Sequence, residues 1–171
     1  MNHKVYVKCF KDILIDYQMI NKAIFLDRDG VINTDISYLH KISDFEFTPG
    51  IFEACKYFTS LGYKLIIVTN QSGIARGYYT IADYDKLTEW MISEFESHGI
   101  TILECLFCPH LPNSSCSCRK PKPGMLNSAV KKFNLDTHES WMIGDKKSDI
   151  DAAISAKIYN TILLQDSSNN Q

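Results

Sequence analysis

The chain has 171 residues, with 18 lysines and arginines against 20 aspartates and glutamates, and a formal net charge of −2. This length predicts one domain, and the charge argues against a general nucleic-acid binder, which carries a basic excess. Hydrophobic residues make up 45% of the chain, which excludes wholesale disorder. Because the sequence has neither a bilayer-spanning apolar run of about 18 residues nor the apolar core of a signal peptide at its start, we expect a cytoplasmic protein without a membrane partner.

Five short apolar runs predict β-strands. They are rich in branched residues and do not alternate with polar positions, which is typical of parallel strands covered on both faces. We therefore expect each of them to lie inside a sheet. The runs occupy residues 23–26, 64–68, 102–107, 141–143 and 161–164.

Helical patterns lie between these strands. Apolar residues at i, i+3, i+4 and i+7 predict a first helix over 51–61, with Thr48 as its N-cap, Pro49 at its first position and Gly62 at its exit. Three further helices are predicted: one between Thr80 and Gly99, one over 126–133, and a short one over 150–154 with an apolar stripe of Ile150, Ala153 and Ile154.

The alternation of strand and helix predicts an α/β fold, a three-layer Rossmann-like parallel sheet with right-handed crossovers. We expect a single domain over 22–165, preceded by an N-terminal extension (1–21) and followed by a flexible tail (166–171). In the extension, the apolar segments 5–7 and 13–15 could pack as an extra strand. Such sheets bind ligands beyond the carboxyl ends of their strands, so the residues that follow each strand are the candidates for chemistry.

Carboxylates follow two of the predicted strands. Asp27 and Asp29 come directly after the first strand, and Asp145 ends the fourth, with Asp149 four residues further on. An isolated Asp-x-Asp-Gly sequence is also a common turn. At a strand end, however, one carboxylate can attack a substrate while the other transfers protons. Oxygen ligands without histidine suit Mg²⁺, which would compensate the gathered negative charge.

Groups suited to phosphate oxygens lie near these carboxylates in the predicted sheet. Thr69 and Asn70 end the second strand, and Arg119, Lys120 and Lys122 precede the third helix. The basic residues could instead form a solvated loop. Beside an acidic, metal-loaded site, a fixed cation would screen phosphate from the carboxylates, and the neighbouring prolines would stiffen the loop that holds it.

Three of the six cysteines fall close together with one histidine, at Cys108, His110, Cys116 and Cys118. This set suits a tetrahedral Zn²⁺, and because four ligands fill the coordination shell, we expect the zinc to be structural. Scattered cytosolic thiols are the alternative. We call residues 108–118 the Cys₃His loop and expect it to position Arg119 and Lys120. The remaining cysteines are expected to be packing residues without disulfides.

The motifs Asp27-x-Asp29-Gly30, Thr69 after a strand, Lys120 before a helix, and Gly144-Asp145-x3-Asp149 resemble those of the haloacid dehalogenase superfamily of aspartyl phosphotransferases. The resemblance implies that Asp27 is the nucleophile and that Asp29 protonates the leaving alcohol and later activates water. It also implies that Thr69 and Lys120 hold the transferring phosphoryl group. The implied Mg²⁺ ligands are the Asp27 carboxylate, the Asp29 main-chain carbonyl and Asp145.

Within this superfamily, segments 25–33, 68–77, 108–110 and 118–126 are similar to those of the D-glycero-D-manno-heptose 1,7-bisphosphate phosphatases. Those enzymes remove the C7 phosphate in the biosynthesis of nucleotide-activated heptose. By this resemblance Arg119 would bind the remaining phosphate, and Lys146 the transferred phosphate or its metal environment. The implied substrate-binding residues are Asp35, Ile36, Ser37, Tyr38, Thr69, Asn70, Gln71, Ser72, Arg119, Lys120 and Lys146.

The gaps between the motifs are too short for a separate cap domain. We expect loops 34–47 and 108–118 to border the site, with Tyr38, His40 and Phe45 either forming a wall or simply packing the first loop. The leading hypothesis is a monomeric, Mg²⁺-dependent sugar bisphosphate phosphatase, whose partner is a small phosphorylated sugar and not nucleic acid. The alternatives are a histidinol-phosphate phosphatase, which resembles the same family, and a non-catalytic zinc-stapled module that binds phosphate or nucleic acid.

Overall fold

Residues 21–164 are described in the computed structural model of the chain. The predicted N-terminal extension, with its apolar segments, and the predicted tail lie outside the described residues, apart from Asn21. Within the described part of the chain, no helix is long and apolar enough to cross a membrane.

A single five-stranded parallel sheet forms the centre of the described structure. Its order is β3-β2-β1-β4-β5, so the first strand lies in the middle. All four pairs of neighbouring strands are parallel. The strands are β1 (Lys22–Leu26), β2 (Tyr63–Asn70), β3 (Ile102–Cys108), β4 (Trp141–Gly144) and β5 (Asn160–Leu163).

Four helices connect the strands and cover the two faces of the sheet. They are α1 (Ile51–Ser60), α2 (Ile81–Ser97), α3 (Gly124–Phe133) and α4 (Lys147–Ser155), and a 3₁₀ turn (Ile42–Asp44) lies in the loop after β1. Alternate β1 residues point to opposite faces, with Phe25 on one and Ile24 on the other. The first face packs against α3 and α4, and the second packs against α1 and α2. The three-layer α/β prediction is confirmed, and the described residues form no separate cap.

The fifth strand differs from the prediction that every strand is covered on both faces. Ile162 is 40% exposed and Leu163 is 45% exposed. The physical reason is the strand order, which places β5 at one edge of the sheet, where the helices cover it only in part. An apolar groove on that side is lined by Ile24, Phe58, Leu61, Tyr63, Trp141, Ile143 and Ile162.

Two details of the predicted helices are wrong. The first helix begins at Ile51 behind a left-handed Gly50, and the carbonyl of Thr48 accepts a hydrogen bond from the Ile51 amide in the preceding turn. Thr48 is therefore not its N-cap and Pro49 is not in the helix. In α4, Ile154 is 49% exposed, and the buried positions are Asp149, Ala152 and Ala153. Sequence periodicity failed there because a carboxylate occupies the inward face.

The predicted boundaries at Gly62, Thr80 and Gly99 are confirmed, whereas α3 begins at Gly124 instead of residue 126 and α4 spans Lys147–Ser155 instead of 150–154. Gly62 and Gly99 follow α1 and α2 with positive φ angles of 82° and 74°. Thr80 caps α2 in a reciprocal capping box with Asp83, which satisfies backbone donors that the first helical turn leaves unpaired.

Candidate active site

The predicted chemical groups meet at the carboxyl edge of the sheet. Asp27 follows β1, Thr69 lies near the end of β2, and Asp145 follows β4. Asp27 and Thr69 border a cavity of about 470 Å³. Its lining residues are Asp27, Asp29, Thr69, Asn70, Pro112, Ser114, Arg119, Lys120, Pro121, Lys122, Lys146, Ser148 and Asp149.

A buried ammonium lies between two of the carboxylates. Lys120 Nζ is 2.8 Å from Asp27 Oδ1 and 2.7 Å from Asp149 Oδ1, and it donates a third hydrogen bond of 2.7 Å to the Val68 carbonyl. Burial disfavours the charged amine, but the two carboxylates hold the pKa of Lys120 above its usual value. Lys120 therefore remains a cation in direct contact with Asp27.

Three carboxylates form a candidate site for a cation. Asp27, Asp145 and Asp149, which we call the acidic trio, each offer an oxygen, and these oxygens lie within 4.8 Å of one another. Asp145 Oδ1 is buried without a hydrogen-bond partner. Burial, reinforced by Asp27 and Asp149 against the opposing charge of Lys146, raises the pKa of Asp145 to about 6. A hard divalent cation would relieve both the repulsion and the missing partner.

Gly30 makes room for this arrangement. It adopts a positive φ of 92°, and a Cβ atom there would collide with the Asp145 side chain. Glycine alone combines that backbone conformation with so close an approach. The glycine of the Asp-x-Asp-Gly sequence therefore does more than form a turn, because it lets the Asp145 side chain approach the backbone after Asp29.

Asp29 points to a different set of partners. The guanidinium of Arg28, which is 1% exposed, donates to both Asp29 carboxylate oxygens. Asn33 donates to Oδ1 at 3.2 Å, and Gln71 donates to Oδ2 at 3.0 Å. The side chain of Asp29 is thus held apart from the acidic trio, at the border between two cavities.

Two of the predicted substrate-binding residues are engaged with the protein itself. The side-chain amide of Asn70 donates to the Lys120 carbonyl and accepts from the Lys120 amide, both at 3.1 Å. It thereby fixes the Lys120 backbone to the end of β2. Gln71 is only 2% exposed, and its amide contacts Asp29, Thr69, Arg28 and Tyr79.

A second cavity of about 270 Å³ adjoins the first. Ser37 and Tyr38 in its wall have positive φ angles of 58° and 55°. Asp35 stabilises this loop by accepting from the Ser37 amide at 3.0 Å and from Lys146 Nζ at 3.0 Å. The cavity is lined by Asp29, Asp35, Ser37, Tyr38, Asn70, Gln71, Ser72, Tyr79 and Lys146.

The other residues of that loop face elsewhere. Ile36 is half-exposed and is not among the lining residues of either cavity. Phe45 packs against Phe47 and Trp90 in the core behind the sheet. His40 stacks on the ring of Tyr79 at 5.1 Å. Of the three residues proposed for the wall, Tyr38 lies in it and Phe45 packs the loop.

The Cys₃His loop brings its four predicted ligands together. One ligand atom from each of Cys108, His110, Cys116 and Cys118 lies within 4.8 Å of all the others. Cys108 Sγ is 3.1 Å from Cys118 Sγ and 3.8 Å from Cys116 Sγ. The thiols are free of disulfides. Three sulfurs and an imidazole so placed fit a tetrahedral soft-metal site.

The same loop contacts the basic segment that follows it. Arg119 donates to the His110 carbonyl at 3.2 Å, and Lys122 Nζ donates to the Cys116 carbonyl at 2.6 Å. A Cβ at Gly124 would collide with the backbone of Ser117. The Cys₃His loop is therefore joined to the cationic side of the larger cavity.

Two residues in the site, Arg28 and Tyr79, escaped the sequence analysis as functional candidates, and the contact of Asp149 with Lys120 was not predicted. Arg28 lies between two carboxylates in the sequence, which could have indicated an ion pair. Asp149 was part of a motif, but nothing in the spacing placed it on Lys120. Tyr79 had no signal, because its hydroxyl meets Gln71 only through the fold of the intervening turn.

Comparisons with a protein-family model and with solved structures support the same fold. The HAD-hydrolase-like family model matches residues 117–170. The solved D,D-heptose 1,7-bisphosphate phosphatase from B. bronchiseptica, complexed with magnesium and phosphate, is similar with a TM-score of 0.73. The two sequences are 34% identical, and the match covers 79% of this chain and 76% of that chain. The fold and the site thus define a haloacid-dehalogenase-like hydrolase.

Two relatives show to which family within this class of hydrolases the chain belongs. A D-glycero-beta-D-manno-heptose-1,7-bisphosphate 7-phosphatase of Helicobacter pylori is 50% identical over 145 residues, covering 84% of either chain. The D-glycero-alpha-D-manno-heptose-1,7-bisphosphate 7-phosphatase of Campylobacter jejuni is 52% identical over 148 residues, 86% of this chain and 85% of the relative. The chain belongs to the D-glycero-D-manno-heptose-1,7-bisphosphate 7-phosphatase family, which confirms the resemblance and the prediction of a phosphoric monoester hydrolase.

Proposed function

We propose that this chain is a Mg²⁺-dependent phosphatase that removes the C7 phosphate of D-glycero-D-manno-heptose 1,7-bisphosphate through an aspartyl-phosphate on Asp27. The observation that carries the proposal is the contact of Asp27 with the buried ammonium of Lys120 beside Asp145 and Asp149. An anionic nucleophile can approach an anionic phosphoryl group only where cations offset the repulsion.

In the first step, an oxygen of Asp27 forms a bond to phosphorus and the bond from phosphorus to the C7 oxygen breaks. Asp29 transfers a proton to the departing alcohol. In the second step, Asp29 takes a proton from a water molecule that attacks the aspartyl-phosphate, which releases phosphate and restores Asp27. Arg28, Asn33 and Gln71 hold the Asp29 carboxylate beside both cavities for these transfers.

The acidic trio would hold Mg²⁺, together with the main-chain carbonyl of Asp29. The bound cation would neutralise negative charge on the phosphoryl oxygens. Asp145 fits this role best, because its buried Oδ1 has no other partner. Thr69 and Lys120 would contact the transferring phosphoryl group, and the fixed position of Lys120 between two carboxylates supplies a preorganised positive charge.

The second phosphate would lie on the cationic side of the larger cavity, near Arg119. Lys146, whose Nζ lies 3.2 Å from Asp145 Oδ2, would contact the transferred phosphate or its metal environment. The smaller cavity, with Asp35, Ser37, Tyr38 and Ser72, would hold the sugar hydroxyls. The basic side chains of Arg119 and Lys146 favour a substrate with two phosphates over histidinol phosphate, whose amine is positively charged. Asn70 and Gln71 would lie beside the substrate, but their side chains bind the protein itself. Asn70 donates to the Lys120 carbonyl, and Gln71 donates to Asp29.

A structural Zn²⁺ would bind Cys108, His110, Cys116 and Cys118. Four soft ligands close its coordination shell, so no position is left for catalysis. Outside the loop, the part of the chain that the structure describes has free thiols at Cys55 and Cys105, which suit a reducing cytoplasm. The monomeric state remains a prediction.

The decisive experiment measures phosphate release from the α and β anomers of heptose 1,7-bisphosphate, with histidinol phosphate as the competitor substrate and Mg²⁺ present. Phosphorus NMR of the product should show the anomeric phosphate retained. Faster turnover of histidinol phosphate would overturn the proposal, as would release of the anomeric phosphate.

A further inference from the structure

Gln71 stands at the centre of a buried hydrogen-bond network in the wall of the smaller cavity. Its Nε2 lies 3.0 Å from Asp29 Oδ2 and 2.8 Å from Thr69 Oγ1. Its Oε1 lies 2.5 Å from the Tyr79 hydroxyl and 3.3 Å from Arg28. Gln71 thus joins the proposed acid and base, Asp29, to the proposed phosphoryl contact, Thr69.

The charged neighbours fix which way the amide points. A guanidinium can only donate hydrogen bonds, so Arg28 must face the amide oxygen. Asp29 Oδ2 already accepts from the Arg28 guanidinium at 3.0 Å, so the Gln71 group that lies 3.0 Å from the same oxygen is the donating amide nitrogen. The reverse orientation of Gln71 would set donor against donor and acceptor against acceptor in a buried site, where such mismatches are costly.

This orientation determines what the Thr69 hydroxyl can do. Because Thr69 Oγ1 accepts from Gln71, its own hydrogen is left over, and Thr69 lines the cavity. A hydroxyl hydrogen is the group that a phosphoryl oxygen requires. With the amide reversed, Thr69 would donate to Gln71 and would present only lone pairs to the phosphate.

The ring of Tyr79 is locked so that its hydroxyl reaches Gln71. A Cβ atom at Gly73 would collide with this ring, so the glycine allows the backbone to pass close to it. His40 stacks on the ring with an interplanar angle of 9°. Burial raises the pKa of Tyr79 to about 12, so the hydroxyl keeps its hydrogen at neutral pH and donates it to Gln71.

We propose that Tyr79 and Gln71 are positioning residues: Tyr79, with Arg28, orients the Gln71 amide, and Gln71 aligns Asp29 and leaves the Thr69 hydroxyl free to donate to the phosphoryl group. This inference rests on the proposed function for the roles of Asp29 and Thr69. It differs from a substrate-binding role for Gln71, because the amide is buried and its oxygen and nitrogen are both bonded to protein groups.

The test compares kcat and KM of Gln71→Glu, Gln71→Met, Tyr79→Phe and the double variant Tyr79→Phe/Gln71→Met with the wild type. Gln71→Glu replaces the donor with an acceptor, and we expect kcat to fall about 100-fold, as for loss of one transition-state donor, while KM changes less than about threefold. Tyr79→Phe should lower kcat about fivefold. The double variant should be no slower than Gln71→Met alone within about twofold, because Tyr79 acts through Gln71.

Tyr57→Phe, on the exposed face of α1, is the matched control and should retain wild-type kinetics. A rise in KM at constant kcat in both Gln71 variants would overturn the proposal and make Gln71 a substrate contact. Multiplying effects in the double variant would overturn the role of Tyr79. If the melting temperature shows that Gln71→Glu does not fold, the kcat and KM of Gln71→Met and of the double variant test the proposal instead.

The assay is repeated with p-nitrophenyl phosphate, which needs the phosphoryl-transfer groups but not the sugar pocket. If the wild type cleaves this ester and not the heptose bisphosphate, the substrate assignment fails while the ratios between variants still test the positioning network. The same ratios with both substrates are expected.

Discussion

Two regions border the candidate active site, and different forces hold them in place. Asp27 and Asp145 directly follow strands of a sheet whose central strands pack on both faces. Lys120, in the loop before α3, and Asp149, on α4, are buried beside them. The Cys₃His loop is polar and mostly exposed, with two prolines and three serines between positions 108 and 118. It has little apolar surface to bury, so the Zn²⁺ of the proposed function would supply much of its order.

The two regions contribute different groups to the cavity: carboxylates from the sheet edge and cations from the segment beside the Cys₃His loop. The sheet edge supplies the reacting carboxylates, Asp27 and Asp29, at the end of β1. The Cys₃His loop supplies the cationic side through Arg119 and Lys122, whose contacts run to its backbone carbonyls. Damage to the first region should therefore stop the chemistry, while damage to the second should weaken substrate binding.

The largest effect is expected from Asp27→Asn, which removes the nucleophile. We expect kcat to fall by more than about 10³-fold, the scale seen when a nucleophile is lost. The melting temperature should hold, because an amide oxygen still accepts from Lys120 and Asp149 keeps the ammonium paired. Asp151→Asn, an exposed aspartate on α4, is the control and should leave both quantities unchanged. Retained turnover in Asp27→Asn would refute the covalent mechanism.

Much of this sheet edge could be predicted from the sequence. The runs before Asp27, Thr69 and Asp145 are apolar and short, and parallel topology then brings their ends to one edge. The ion pair between Lys120 and Asp149, by contrast, could not be predicted. It joins a loop to a helix whose inward face carries a charge. Periodicity marks apolar positions as buried, so it assigned the inward face of α4 to Ile154 and gave no sign that Asp149 is buried.

The Cys₃His loop was predictable for a different reason. Its ligand set is recorded in residue identity and spacing, which do not depend on the rest of the fold. The contacts of Arg119 and Lys122 with loop carbonyls were not predictable, because main-chain carbonyls are the same at every position and only the folded loop selects among them. The Tyr79–Gln71 contact escaped for the same reason, since it depends on how one turn closes.

The second largest effect is expected from Cys116→Ser and Cys118→Ser. Each should lower the zinc content, measured by atomic absorption, and reduce kcat/KM about 10- to 100-fold, mainly through KM, as Arg119 loses its support. Mg²⁺ should still be required by any remaining activity. Cys105→Ser, outside the loop, should keep its zinc. A zinc-free Cys118→Ser variant with an ordered loop and no turnover would point instead to a catalytic metal.

A smaller effect is expected from pH on Mg²⁺ binding at the acidic trio. The pKa of Asp145 is raised to about 6, and only the ionised carboxylate binds a cation. As the pH falls below 6 the proton competes with Mg²⁺, and at pH 5 we expect an apparent Kd about tenfold higher than at pH 7. Calorimetric titration of Mg²⁺ into the substrate-free protein measures this. Asp145→Asn should bind weakly at both pH values, and a pH-independent Kd in the wild type would contradict the assignment.

The smallest effect is expected from Lys122→Met, which sharpens the comparison at the junction of the two regions. Lys122 Nζ donates to the carbonyls of Cys116 and Ser114 at 2.6 and 3.3 Å, and it is exposed. An exposed hydrogen bond contributes about 0.5–1.5 kcal/mol, so kcat/KM should fall about three- to tenfold, through KM. Zinc content should stay at one per chain, since the four ligands remain. Lys132→Met, which removes a surface ion pair with Glu104, is the control. If Lys122→Met lowered kcat at constant KM, the Cys₃His loop would serve the chemical step and the division between the two regions would fail.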